Sequence, residues 1–266
     1  MRKLKICLDP GHDKGYNPSP CGFGYAEGTR MFFFAGMLKT ALERYGIEVV
    51  ITRSRVEANP DLLQRAQYGR GCDLLLSLHS NAVGNEANES VDYVRVYYPI
   101  SGKGKDLASL LSNTIADVMQ TNQNPQHLTR VNSTGTADYY GIIRHSAALG
   151  VPALILEHSF HTNSRSTQWL MSDVNLFSLA EAEAKTIADY YGLQKIKEDE
   201  REMRYNTLAD LKADPNSRFY LPTVEKLIRE GYLKGKGGTG DDLILDFSED
   251  SIRILVTLDR AGVYGE

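Results

Sequence analysis

Four polar side chains in this 266-residue sequence have the types needed for hydrolysis at a metal ion: His12, Glu27, His79 and Glu157. Two histidines and one carboxylate make a complete ligand set for a catalytic zinc, with the fourth position left to water. Zinc lowers the pKa of that water to about 7 and polarises a carbonyl. A carboxylate that is not a ligand then takes the proton and passes it to a leaving amine. In this scheme His12, Glu27 and His79 bind the metal, and Glu157 is the base and later the acid. Each residue also has a plainer role. His12 is then a loop histidine, His79 a hydrogen-bonded core histidine, and Glu27 a carboxylate favoured near a helix N-terminus. Glu157 closes an apolar run, where a carboxylate must be paired or in use. Spacing alone leaves these alternatives open.

The elements around these residues place them at strand ends. A strand over residues 4–9 leads into Asp9-Pro10-Gly11-His12, and a Gly/Pro/Ser/Asn-rich loop over 15–28 carries Glu27 to the start of a helix over 30–45. In that helix Phe34, Met37, Leu38, Ala41, Leu42 and Tyr45 recur on one face, and Gly46 ends it. Further strands are expected at 48–52, 73–79, 92–98 and 151–156, and helices at 61–70, 107–119 and 172–191. The run over 73–79 is nearly all leucine and ends on His79, while the apolar run at 151–156 ends on Glu157. Alternation of this kind predicts an α/β fold, a mostly parallel twisted sheet with helices on both faces. Ligands in such sheets bind beyond the carboxyl ends of the strands, where three of the four residues fall.

Composition narrows the class. The hydrophobic share is 42%, the charged share 24% and the net charge −4, which argues against nucleic acid as the main partner. Cys7, Cys21 and Cys72 have no C-x-x-C spacing and cannot all pair, so the fold does not rest on disulfides. The apolar run after Arg2, Lys3 and Lys5 is too short for a signal peptide, and no stretch suits membrane insertion. The expectation is synthesis in the cytoplasm without a signal peptide.

Taken together, Asp9-Pro10-Gly11-His12, Glu27 before a helix, Thr52-Arg53, Ser77-Leu78-His79-Ser80-Asn81-Ala82, and Pro152 to Glu157 followed by Phe160 and Asn163 occur in one order. In that order they resemble the zinc amidases of the amidase-3 type, found in wall-remodelling enzymes and phage endolysins. The resemblance covers residues 3–192. It implies Zn2+ on His12, Glu27 and His79, with Glu157 catalytic. It also implies cleavage of the peptidoglycan amide between N-acetylmuramic acid and L-alanine of the stem peptide. Rival expectations are a zinc endopeptidase acting within the stem and an inactive wall-binding protein. Asn81, Tyr139, Tyr140, Arg144 and His158 are candidate substrate contacts, with loop packing as the alternative for Tyr139, Tyr140 and Arg144. His161 is a further candidate beside Phe160, and Asp9 either orients a ligand or caps the turn.

The expected division is a catalytic domain at 1–193, a charged linker at 194–202 and a small, mainly helical C-terminal domain at 203–266. In the last, Pro222 suits the first position of a helix over 222–231, a Gly/Lys-rich turn spans 233–240, and Ser248 is a candidate N-cap of a final helix. Tyr232-Leu233-Lys234-Gly235-Lys236-Gly237 is similar in outline to wall-binding modules. This implies attachment to a secondary wall polymer, with oligomerisation through the module as the alternative. Purine-rich codon types before Met203 make that residue a candidate internal start.

Overall fold

The computed structural model describes residues 2–195, 204–214, 217 and 220–260. The chain divides into two compact units, residues 1–196 and 197–266.

The first unit is built on six strands: β1 (Lys5–Pro10), β2 (Glu48–Ile51), β3 (Leu74–Asn81), β4 (Arg95–Tyr97), β5 (Gln126–Leu128) and β6 (Ala153–Phe160). Their order is β2-β1-β3-β6-β4-β5. The pairs β2–β1, β1–β3 and β3–β6 are parallel. β4 joins β6 antiparallel and carries β5 parallel to itself. The helices are α1 (Glu27–Glu43), α2 (Leu62–Tyr68), α3 (Lys105–Met119), α4 (Gly141–Ala148), α5 (Ser164–Met171) and α6 (Asp173–Tyr190). The sheet is therefore mixed but mostly parallel, and flanked by helices as expected.

Strand alternation sorts the core into two layers. Ile6, Leu8, Leu74, Leu76, Leu78, Leu154 and Leu156 are fully buried or nearly so, on the face where the long helices α1, α3 and α6 pack together. The other face holds Cys7, Leu75, Ala153, Ile155 and Tyr97, in one cluster with Ala66 of α2 and Ile142 and Ile143 of α4. Helices α2 and α4 are short, with 7 and 8 residues. They cover the early rows of this face and leave its last row, at the strand C-terminal ends, open.

The local signals explain most boundaries. Asp61 caps α2 in a capping box with Gln64. Ser172 caps α6 and Asn163 caps α5 through their side chains. β3 runs on to Asn81 and β6 to Phe160, past the expected ends, because both carry polar residues that continue the ladder with a register shift between His79 and Asn81. β5, α4 and α5 were not expected. β5 is three residues long and α4 and α5 eight each, too short for periodicity to stand out.

The second unit contains β7 (Arg204–Thr207), α7 (Leu208–Ala213), α8 (Leu221–Arg229), β8 (Ile244–Ser248) and α9 (Glu249–Arg260), with β7 and β8 antiparallel. Tyr205, Leu208, Leu211, Val224, Leu243, Leu245, Ile252 and Val256 form its own core. The two strands and α7 were not anticipated. Pro222 lies in the first turn of α8 as expected. Residues 196–203, which include Met203 and most of the expected linker, and residues 261–266 lie outside the described residues. No helix among the described residues is long and apolar enough to cross a membrane.

Candidate metal centre and catalytic row

β1 ends at Pro10, and the chain then turns sharply. His12 adopts φ +59°, a left-handed conformation that a residue with a Cβ rarely takes. Gly11 permits this turn because the His79 ring sits against it: a Cβ at position 11 would lie 2.2 Å from a ring carbon of His79. Gly28 plays the same part for the next loop, where a Cβ would meet the Asp13 carbonyl oxygen at 1.8 Å. Arg53, almost fully buried, ties these segments together. Its guanidinium donates to the carbonyls of Gly11 (3.1 Å), Gly28 (2.8 Å), Ala58 (3.0 Å) and Val56.

The result is that His12, Glu27 and His79 converge, each offering a donor atom within 4.8 Å of the others. Glu27 is 1% exposed and sits between the two rings. Its Oε1 is 2.8 Å from His79 Nδ1, and its Oε2 is 3.4 Å from His12 Nε2. Asn17 Nδ2 donates to Oε2 (2.7 Å) and the Ser80 backbone N–H to Oε1 (3.1 Å), so the carboxylate is aimed from both sides. Tyr16 stacks on the His12 ring with centroids 4.5 Å apart. Burial opposes ionisation of Glu27, but the hydrogen bonds from the two histidines outweigh it and hold its pKa well below the usual carboxylate range. Burial likewise disfavours a charged His79, and the Glu27 carboxylate overcomes it, so the His79 pKa is raised.

The second nitrogen of His79 is fixed as well. Ser77 Oγ donates to Asp9 Oδ2 at 2.8 Å, so it accepts from His79 Nε2 at 3.2 Å. This leaves Nδ1 as the nitrogen facing Glu27 and the cluster. Asp9 is itself held by Thr52 Oγ1 (2.7 Å) and Arg65 Nη1 (2.8 Å). Through Ser77 it therefore helps orient the His79 ring. Arg65 also donates to the His12 carbonyl at 2.7 Å. Two imidazole nitrogens and one buried, doubly oriented carboxylate are the donor set that suits a catalytic divalent ion such as zinc.

Glu157 is the direct cross-strand partner of His79, so both side chains leave the same face of the sheet. Its Oε2 is buried without a hydrogen-bond partner. Burial pushes its pKa up to about 7, with the nearby His79 opposing the shift and Glu27 adding to it. A buried carboxylate with an open acceptor and a pKa near neutrality can take up and release a proton. A cavity of about 320 Å³ opens beside His12 and His79, lined also by Pro60, Leu62 and Ile142.

The remaining candidates separate. His158 follows Glu157 on β6 and so faces the opposite layer. It is fully buried, with Nδ1 against the His79 carbonyl oxygen, Nε2 against Glu183 Oε1 of α6 (both 2.8 Å) and the Phe34 ring 5.0 Å away. It is corrected from a substrate contact to a residue under the sheet, because strand alternation turns it away from the open face. His161, also buried, bonds Ser80 Oγ at 2.9 Å behind the cluster. Asn81, the last residue of β3, accepts from the Ala82 N–H through its side chain, and its backbone carbonyl accepts from the N–H of His161 just after β6. Tyr140 packs on Tyr97 with centroids 4.6 Å apart, and Tyr139 lies beneath Arg130 at 3.7 Å. Arg144 donates to the carbonyls of Asp138 (2.7 Å) and Tyr139 (3.1 Å) and so braces that loop. Asn17, Tyr16 and Arg65 carry no sequence signal beyond their types, while Arg53 and Ser77 stand in the motifs Thr52-Arg53 and Ser77 to Ala82 without a role that spacing assigns.

Residues 6–189 match the family model described as Amidase_3, N-acetylmuramoyl-L-alanine amidase. The chain belongs to this family. It is 28% identical over 196 residues to the N-acetylmuramoyl-L-alanine amidase CwlM of Bacillus licheniformis, covering 72% of this chain and 70% of that one. Among solved structures it is similar to the amidase AmiC2 of Nostoc punctiforme, with 25% identity, a TM-score of 0.61 and coverage of 72% and 98%. Cwp6 from Clostridium difficile gives 24% identity and a TM-score of 0.62, covering 71% of this chain and only 29% of that one. The family match falls within the first unit.

Proposed function

We propose that this chain is a peptidoglycan hydrolase that cleaves the amide between the lactyl group of N-acetylmuramic acid and L-alanine of the stem peptide. The observation that carries this is the pairing of Glu157 with His79 across β3 and β6, beside a His-Glu-His donor cluster, in a chain of the amidase family. His12, Glu27 and His79 would hold zinc. When bound there, zinc supplies a Lewis acid for the scissile carbonyl and makes water acidic enough to attack near neutral pH.

The protein's own groups do the rest. Glu157, ionised, takes a proton from the attacking water as the hydroxyl adds to the carbonyl carbon. When the carbon–nitrogen bond breaks, Glu157 gives that proton to the L-alanine nitrogen, so a free amine leaves and a lactyl carboxylate remains. A proton carrier with a pKa near 7 suits both transfers. Asn17 and the Ser80 N–H keep Glu27 pointed at the cluster, and the Asp9–Ser77 pair keeps His79 in one tautomer.

The second unit, residues 197–266, is proposed as a wall-binding module that holds the enzyme on a secondary wall polymer, as part of an endolysin-like role with release by a holin-type route. Purified bacterial wall incubated with the protein tests the amidase reaction. New L-alanine N-termini are expected, abolished by EDTA and by Glu157→Ala. Other new N-termini would point to an endopeptidase. No product from any wall type, with zinc bound, would point to an inactive binding protein.

A further inference from the structure

The row that holds His79 and Glu157 continues across the sheet. Glu157 is also the direct partner of Arg95 on β4, and Arg95 is the partner of Gln126 on β5. Residues directly opposed in a sheet share a face, and neighbouring strands lie about 4.8 Å apart. Arg95 is therefore one strand beyond Glu157 and two beyond His79, on the open face.

Arg95 is held in place entirely by neutral oxygens. Nε and Nη2 donate to Gln126 Oε1 at 3.1 and 2.8 Å, Nη1 donates to Tyr97 Oη at 3.2 Å, and Nη2 also reaches Tyr93 Oη. Its guanidinium carbon lies 4.9 Å from the Tyr93 ring centroid. One N–H of Nη1 is left over. Arg130 lies over the Tyr139 ring, with Nη1 3.3 Å from Tyr140 Oη. Tyr140 in turn packs on Tyr97. Among the described residues no carboxylate forms an ion pair with Arg95 or Arg130. The wall thus presents two positive charges, one of them rigid and planar, with Glu157 as the cross-strand neighbour of Arg95 but no carboxylate in ion-pair contact among the described residues. A fixed guanidinium of this kind is suited to binding a carboxylate.

The direction of the substrate follows from the amide hydrolysis proposed above, on which this step rests. Glu157 must reach the leaving nitrogen, so the lactyl side lies toward His79 and the peptide runs on toward β4. In a stem whose second residue is glutamate linked through its side chain, the free α-carboxylate lies about two residues, or ~7 Å, from the scissile nitrogen. Arg95 starts one strand spacing, about 4.8 Å, beyond Glu157, and its long side chain can cover the remainder. We propose that Arg95, assisted by Arg130, binds that carboxylate and makes the enzyme selective for stem peptides in which it is free over those in which it is amidated.

The test compares kcat/KM for two soluble muramoyl peptides that differ only at the second residue, D-glutamate in one and D-isoglutamine in the other. Wild-type protein is expected to favour the acid by at least about tenfold, chiefly through KM. Arg95→Gln is expected to bring the two within about twofold, and Arg130→Gln to reduce the preference by less. The ratio is taken within one preparation, so any inactive fraction cancels. Equal cleavage of both peptides by the wild type, or a preference that survives Arg95→Gln, overturns the proposal while leaving amide hydrolysis intact. Cleavage of neither peptide overturns it together with the amidase assignment.

Discussion

Glu157 is a carboxylate whose surroundings disfavour its charge, and this has a consequence for stability as well as chemistry. Its pKa is about 7 in the folded chain against 4.5 for the free group. Below about pH 4.5 the group is protonated whether folded or unfolded, and its contribution to stability is fully present. As the pH rises toward 7 the unfolded chain ionises first, and that stability is lost. In EDTA, Glu157→Gln is therefore expected to melt near the wild-type temperature at pH 4 and above it at pH 8. Identical curves at pH 8 would mean that burial does not strain the carboxylate. The same variant is expected to lose about 10²-fold or more in kcat while keeping stoichiometric zinc by elemental analysis.

Two neighbours of His79 act by geometry alone. Gly11→Ala puts a methyl group into the imidazole ring, and is expected to abolish metal binding measured by isothermal calorimetry. Ser77→Ala removes the acceptor that fixes the His79 tautomer. A loss of about 10–100-fold in zinc affinity is expected, the range usual for groups that orient a ligand. Unchanged affinity would show that Ser77 only fills space between β1 and β6.

At the scale of elements, the site is a product of loops that no strand or helix fixes by itself. Arg53 gathers carbonyls from the turn after β1, the start of α1 and the 56–58 loop. Leaving several buried carbonyls unpaired costs about 1–3 kcal/mol each, so Arg53→Ala is expected to destabilise the chain by about 3 kcal/mol or more in urea unfolding. Arg53→Lys should recover only part of this, because one ammonium cannot span the same fork of acceptors. The elements legible in the sequence were the long ones. Helix α1 and strand β3 were expected from apolar spacing and appear within a few residues of the expected limits. β4 shrank from the expected 92–98 to three residues, since Asp92 is buried as an acceptor for Ser159, Ser166 and Arg165 rather than in the ladder.

At the scale of the whole molecule, each of the two units has a core of its own. A fragment of residues 1–196 is expected to cleave soluble muramoyl peptides with kcat/KM within about threefold of the full chain, but to sediment less with insoluble wall. Equal sedimentation of both would remove the wall-binding role proposed for the second unit.

The sequence by itself determined the chemical types of the site and the strands that end on them. His12, His79 and Glu157 follow apolar runs, and a parallel sheet must bring such ends to one edge because its strands point the same way. It also determined the two-layer core, through the leucine and isoleucine runs. Tertiary structure decided which neighbours matter. That Glu157 opposes His79, that Arg95 extends their row, and that His158 turns under the sheet all depend on register and strand order. Pairing across strands far apart in the chain is set by packing of the whole sheet, and no local spacing encodes it.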